Sequence, residues 1–218
     1  SEASVEPEPG VIATGKVGHS MKRDRGAEAA SGEIHAILDD EAYPDPSWLD
    51  MVEEVFKDPA VAGLGGPAVT PPGDPFWAQV SGAVYSSPFG GGPYVFRYLP
   101  RSPRDVDDFP TCNLLVRASD FKEAGGFNTA FWPGEDTKLC LELVHRLGKR
   151  IAYHPKVLVY HHRRNLIPGH FRQVTRYALH RGYFVKRFPE TSLRLSYFLP
   201  TLYAAGMLGL PLAAALHL

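Results

Sequence analysis

The segment Ala36-Ile37-Leu38-Asp39-Asp40-Glu41-Ala42-Tyr43-Pro44 runs an apolar stretch straight into three adjacent carboxylates and a proline turn. Neighbouring anions repel: two unit charges roughly 4 Å apart cost about 1 kcal/mol in water and several times more at a half-buried site. A divalent cation reverses that sign. Hard oxygen donors suit Mg²⁺ or Mn²⁺, which take one or two protein carboxylates and complete their shell with water and substrate phosphates. The alternative is a solvated acidic turn. The apolar run in front favours the metal, because ligands of α/β sheets gather beyond the carboxyl ends of strands.

Two further clusters carry candidate chemistry. Trp132-Pro133-Gly134-Glu135-Asp136 places two acids at the start of a helix, where orphan N–H groups and the macrodipole favour carboxylates. Capping is one role for them; an ionised Asp136 is also what a general base needs before it takes a proton from a hydroxyl nucleophile. In Tyr160-His161-His162-Arg163-Arg164 a strand ends in two imidazoles and two guanidiniums. Alternation puts His161 on the face of Val157 and Val159 and His162 on the other. Either the stretch is a polar strand end, or a neutral imidazole binds a metal beside phosphate-gripping arginines. A metal hydrolase built on both histidines is disfavoured, since neighbours in a strand face opposite ways and no helical His pair with a Glu is present.

The elements that must position these groups alternate. Short strands are expected over residues 11–14, 34–38, 61–69, 114–116, 151–153 and 157–160. Helices are expected over 19–30, from Asp45 and Pro46 through Phe56, and over 76–84, 119–124, 135–147 and 169–188. Strand, helix, strand, helix, strand implies an α/β domain with a largely parallel sheet. Residues 86–110, rich in Gly, Pro and aromatics without a period, read as a long functional loop.

The 218 residues, 44% of them hydrophobic, suffice for one core with an appendage, and a net charge of -1 gives no bulk attraction to nucleic acid. Acids concentrate in the first half, as at Asp105, Asp107 and Asp108, and cations between Arg146 and Arg194. Cys112 and Cys140 have neither metal-type spacing nor a disulfide pattern, which fits a reducing compartment. No signal peptide is visible, and residues 1–10 read as loop. Residues 166–192 form a basic, aromatic-rich amphipathic helix suited to an anionic membrane surface. Residues 193–218 are almost free of charge and long enough to cross a bilayer of about 30 Å, with Lys186, Arg187 and Arg194 just before them; the positive-inside rule then keeps the preceding domain cytoplasmic, at the inner membrane.

The order Lys22-Arg23-Asp24, Gly32-Glu33-Ile34, Asp39 to Pro44, Thr111-Cys112-Asn113-Leu114-Leu115, Gly125-Gly126-Phe127, Gly134-Glu135-Asp136 and Tyr160 to Arg164 resembles a family 2 glycosyltransferase, over nearly the whole chain from about Val11. The resemblance implies a GT-A, Rossmann-like core over residues 1–165 and a nucleotide-sugar donor. It also implies a Mg²⁺ or Mn²⁺ ion and inverting transfer of a sugar to an acceptor hydroxyl, the acceptor being lipid-linked or a growing polysaccharide. By position it makes Asp136, with Glu135 beside it, the catalytic pair. Arg23, Asp39, Asp40, Asn113, Arg163 and Arg164 become donor contacts, and Asp39, Glu41 and His161 metal ligands. Glu41 is one methylene longer than the usual Asp, and Lys138 stands where many relatives carry another acid. In that family an opening strand, helix and second strand grip the nucleobase, whereas only a short strand near Val11 precedes the Arg23 helix here. The chain is therefore expected to lack that unit and to be weakly active or inactive as given. Two rival functions are a sugar nucleotidyltransferase, which would want a glycine-rich basic phosphate loop near the N-terminus, and a noncatalytic membrane-anchored module that inherited the fold.

Overall fold

The structure, a computed structural model, describes Gly10 and residues 12–127, 133–164 and 166–215. Most of the loop expected over residues 1–10, Val11 and Trp132 lie outside them. The strand expected over 11–14 does not form in its described part, residues 12–14, which have no regular structure. The chain continues through α1 (His19–Ala29), β1 (Ile34–Leu38), β2 (Ala42–Pro44), α2 (Val52–Phe56), β3 (Val61–Gly65), β4 (Ala68–Val69), α3 (Phe76–Ser86) and α4 (Pro88–Gly91). Then come β5 (Arg104–Val106), β6 (Asn113–Arg117), α5 (Ala118–Ala124), α6 (Glu135–Leu141), β7 (Arg150–Tyr153) and β8 (Val159–His161). The last elements are α7 (Phe171–Arg187), α8 (Pro189–Ser192) and α9 (Leu199–Ala215).

The α/β class holds, but the sheet is mixed rather than mostly parallel. One sheet has the order β1-β6-β3-β7-β5, and within it only β3 and β7 run parallel. The other has the order β2-β8-β4, parallel only between β4 and β8. β1 and β3 do point the same way, as strand-helix-strand order demands; β6 returns from much farther along the chain and inserts antiparallel between them. Sequence patterning locates most of these strands, though not β2 or β5, and it does not say which strand lies beside which.

β6 is also the spine of the core. Leu114 and Val116 face a cluster with Ala62, Phe121, Leu139 and Ile151, while Leu115 faces the opposite cluster with Val61, Leu64, Trp48 and Phe56. Each fully buried aliphatic side chain contributes roughly 1.5–3 kcal/mol, so both faces of the sheet fix the strand ends at which the acids emerge.

Three local expectations need correction. The helix foreseen from Asp45 starts only at Val52, because the Asp45 carboxylate accepts from Ser47 N–H and Oγ at 3.0 and 2.7 Å and closes a turn instead. Residues 86–110 are not an unstructured loop: they hold α4, a 3-10 turn at Gly92–Arg97 and β5. Finally, the stretch read as membrane-spanning is broken. Residues 195–198 wind as a separate 3-10 turn before α9 begins, and α9 extends about 25 Å at 1.5 Å per residue. Among the described residues no helix is long and apolar enough to cross a membrane; residues 216–218 lie outside them.

Candidate active site

β1 delivers Asp39 to the head of a tight turn closed by Ala42 N–H donating to the Asp39 carbonyl at 3.0 Å. Asp39 is partly buried there, while Asp40 and Glu41 point to solvent. Across the cleft, Gly134 takes φ +124° and α6 starts with Glu135 and Asp136, whose carboxylates accept from Gly134 N–H at 3.0 Å and Thr137 N–H at 2.8 Å. These acids satisfy orphan donors of their own helix, so the capping reading is correct as far as it goes.

What joins the two clusters is Arg23 on α1. Its guanidinium donates to Asp39 Oδ1 at 3.1 Å and, more tightly, to Glu135 Oε1. α1 is itself pinned there, because Asp24 Oδ1 accepts from Phe127 N–H at 2.7 Å and the Arg23 guanidinium lies over the Phe127 ring. The planar fork of an arginine reaches two carboxylates at once, which a lysine ammonium cannot do with the same geometry.

Asp136 carries the most distinctive electrostatics. Burial first, then the charges of Asp108 and Glu135, push its carboxyl up to about 7, against the pull of the Thr137 N–H and Arg181. A carboxylate that titrates near neutrality is well matched to general-base work. Burial, followed by the Asp39 charge, pushes the nearby Cys112 thiol up to about 12, so it stays protonated and unreactive at neutral pH.

The remaining expected residues sort differently. His161 and His162 separate as alternation requires. His162 turns to Asp74, with Nδ1 2.6 Å from Oδ1, whereas His161 turns to Asp39, with Nε2 3.7 Å from Oδ2. Arg163 donates to His161 Nδ1 at 3.3 Å, and an arginine can only donate. With Nδ1 accepting from Arg163, Nε2 is the ring nitrogen left to face Asp39, so in this arrangement His161 supports that carboxylate. Arg163 is not a free phosphate grip either: it lies over the rings of Tyr85 and Tyr98 and bonds Ala68 O and Thr70 Oγ1. Arg164 is exposed. Among the described residues no three His, Cys, Asp or Glu side chains stand together as an ion site. Asp39, whose oxygens face Arg23 and His161, and the exposed Glu41 offer hard carboxylate donors of the kind that Mg²⁺ and Mn²⁺ take together with substrate phosphates.

Asn113 does not reach the cleft. It is fully buried opposite Leu38; its Nδ2 donates to Gly66 O and Val157 O at 3.0 and 2.7 Å, and its Oδ1 accepts from Trp48 Nε1 at 3.0 Å. It ties together the strand ends behind Asp39 rather than touching a donor. Asn113→Ala leaves three buried partners unsatisfied and is expected to cost about 3 kcal/mol or more, read as a lower midpoint in urea unfolding; an unchanged midpoint would refute this structural role.

Sequence reasoning missed the neighbours that shape Asp136. Asp108 lies behind it, and α7 packs over it: a Cβ on Gly134 would stand 2.0 Å from the Phe184 ring, and burial leads the causes that raise the Tyr177 phenol, with Asp136 and Asp39 adding to it. In the sequence, Asp108 stood out only as one of the acids Asp105, Asp107 and Asp108 just before the Asn113 strand; its burial is a finding of the structure.

A family model described as glycosyl transferase family group 2 matches residues 36–218. The chain belongs to that family. It is 32% identical over 149 residues to the pre-mycofactocin glycosyltransferase of Mycobacterium tuberculosis (strain CDC 1551 / Oshkosh), covering 67% of this chain and 30% of that protein. It is 22% identical over 161 residues to the glucosyl-dolichyl phosphate glucuronosyltransferase of Haloferax volcanii, covering 66% of this chain and 47% of that one. Among solved structures, mannosyltransferase PcManGT from Pyrobaculum calidifontis, in complex with GDP-Man and Mn²⁺, superposes with a TM-score of 0.59 at 22% identity, over 94% of this chain and 57% of that one. That likeness shows a GT-A-like fold for this family 2 chain, which spans less than two thirds of the length of each of these relatives.

Proposed function

We propose that this chain carries the metal-side acids and the base of an inverting glycosyltransferase that moves a sugar from a nucleotide-sugar donor to an acceptor hydroxyl. The observation that carries the reading is the Arg23 bridge, which brings Asp39 and the Glu135-Asp136 pair to one cleft although 112 residues separate Arg23 from Glu135. Asp39 and Glu41 would hold Mg²⁺ or Mn²⁺ together with the donor diphosphate, with His161 keeping Asp39 in position. The cation would offset charge on the departing nucleoside diphosphate. Asp136 takes the acceptor's proton; the acceptor oxygen then attacks the anomeric carbon as the bond to the diphosphate breaks, and this single displacement inverts that centre. The GDP-Man and Mn²⁺ in the mannosyltransferase complex, and the sugar-transfer names of the relatives, support donor and metal.

The acceptor would be lipid-linked or a polysaccharide, handled at the cytoplasmic face of a membrane. α7 supports this placing: it carries Arg172, Arg176, Lys186 and Arg187 with no acid, and Phe171, Leu179 and Tyr183 are exposed. The test is a panel of sugar nucleotides with the full-length protein. Release of nucleoside diphosphate should need Mn²⁺ or Mg²⁺ and fall at least about tenfold in Asp39→Asn; release from no donor, or release indifferent to chelation, would sink the metal-dependent reading.

A further inference from the structure

Asp108 has no assigned part in the reaction, yet it is among the most buried charged side chains, 4% exposed. Its Oδ1 accepts from Thr137 Oγ1 at 3.1 Å, and Thr137 is the residue whose N–H holds Asp136. Its Oδ2 makes no hydrogen bond but stands between two guanidiniums, Arg97 Nη2 at 3.5 Å and Arg181 Nη2 at 3.7 Å. Both cations have further contacts besides that carboxylate. Arg97 lies over the Tyr94 ring and donates to the Asp108 carbonyl; Arg181, on α7, lies over the Tyr197 ring and donates to Ser192 Oγ at 3.2 Å. One carboxylate thus links the turn carrying Asp136, the 3-10 turn carrying Arg97 and the helix covering the cleft.

Packing does not require an acid here. An asparagine would accept the same Thr137 bond, so what the carboxylate adds is charge beside a second carboxylate. We propose that Asp108 is a positioning residue of the transfer reaction: through Thr137 it sets the aim of Asp136, and with Arg97 and Arg181 it sets the charge against which Asp136 works. This rests on the reading of Asp136 as the base. The groups facing Asp136 are Glu135 and Cys140 from its own helix, Asp108 from the segment after β5, and Arg181 and Tyr177 from α7, with Cys112 nearby. Asp108 disfavours the ionised form of Asp136 and Arg181 favours it, so removing each should move its titration in opposite directions.

The experiment is a carbon-13 titration of aspartate-labelled full-length protein, with the Asp136 signal identified by its loss in Asp136→Asn. Against the parent, the midpoint should fall in Asp108→Asn and rise in Arg181→Gln, each by at least about half a pH unit, and Asp108→Glu should return it towards the parent value. A merely structural role would lower thermal stability and leave the midpoint in place. Should Asp108→Asn fail to fold, Arg181→Gln still decides the charge, and Thr137→Val decides the aim: it should lower kcat at least about fivefold with KM for the donor unchanged and the midpoint kept. Midpoints that stay put, or move the same way in both charge variants, overturn the proposal while an inactive Asp136→Asn leaves the glycosyltransfer reading standing. Moved midpoints with a fully active Asp136→Asn overturn the reading of Asp136 as the base, and the positioning role with it.

Discussion

Asp136→Asn is expected to lower sugar transfer by the full-length protein by about 10²–10⁴-fold, the range that a positioned general base contributes, while donor binding stays within about twofold. The asparagine keeps the shape and the acceptor atom that Thr137 N–H uses, so the turn survives; what goes is the ability to take a proton. The pH dependence has a definite sign. Because burial and the Asp108 and Glu135 charges raise this carboxyl to about 7, the working ionised form fills as pH rises through neutrality. The transfer rate should therefore fall about tenfold per pH unit on the acid side of that value. Stability runs the other way. A carboxyl raised in the folded state contributes fully below its unfolded value of 3.8, and that contribution is lost as pH rises through about 7. The Asn variant should thus be at least as stable as the parent above pH 7, which separates loss of chemistry from loss of fold. Transfer rates, donor affinity by calorimetry and urea unfolding at pH 6 and 8 supply the three readings. Full transfer activity in Asp136→Asn would show that another group takes the proton; absence of transfer by the parent protein with every sugar nucleotide would leave the noncatalytic module as the better account.

Removing Arg23 should have the next largest effect, and on a different quantity. The guanidinium faces Glu135, 5% exposed, and Asp39, 29% exposed. Arg23→Met leaves both carboxylates without their common cation, in a cleft that already holds Asp136 and Asp108. Breaking a buried pair from one side costs about 3–5 kcal/mol, and the partial exposure of Asp39 places the expectation at the lower end, about 3 kcal/mol. Donor binding should weaken at the same time, since Asp39 loses the group that fixes one of its oxygens. Arg23→Lys should recover only part of either loss, because an ammonium cannot fork to both acids. The readings are the urea midpoint and the donor Kd with Mn²⁺. If Arg23→Met unfolds at the parent's urea concentration and binds donor as tightly, the two acid clusters do not depend on each other as described.

Some of this was written locally. The strand at Ile34–Leu38 follows from its apolar run, the helix at His19–Ala29 from the glycine turn before it, and the helix start at Glu135 from two carboxylates after Gly134, all settled within a few residues. The same short-range chemistry marked Asp39, Glu135 and Asp136 as groups that could do work, and their order along the chain pointed to the family. Other features depended on neighbours the sequence cannot name. β6 inserted between β1 and β3, Asn113 turned inward to hold Gly66 and Val157, and Arg163 spent its donors on Ala68, Thr70 and His161. The titration of Asp136 was set first by burial, then by Asp108 and Glu135, and countered by Thr137 N–H and by an arginine on a helix read as a membrane surface element. The sequence by itself determined which residues carry charge and which short elements they begin or end, because those preferences are decided between residues a turn or two apart. Only the tertiary structure decided which charges meet, since an ion's energy in a half-buried cleft depends on partners brought there from as far as 112 positions away.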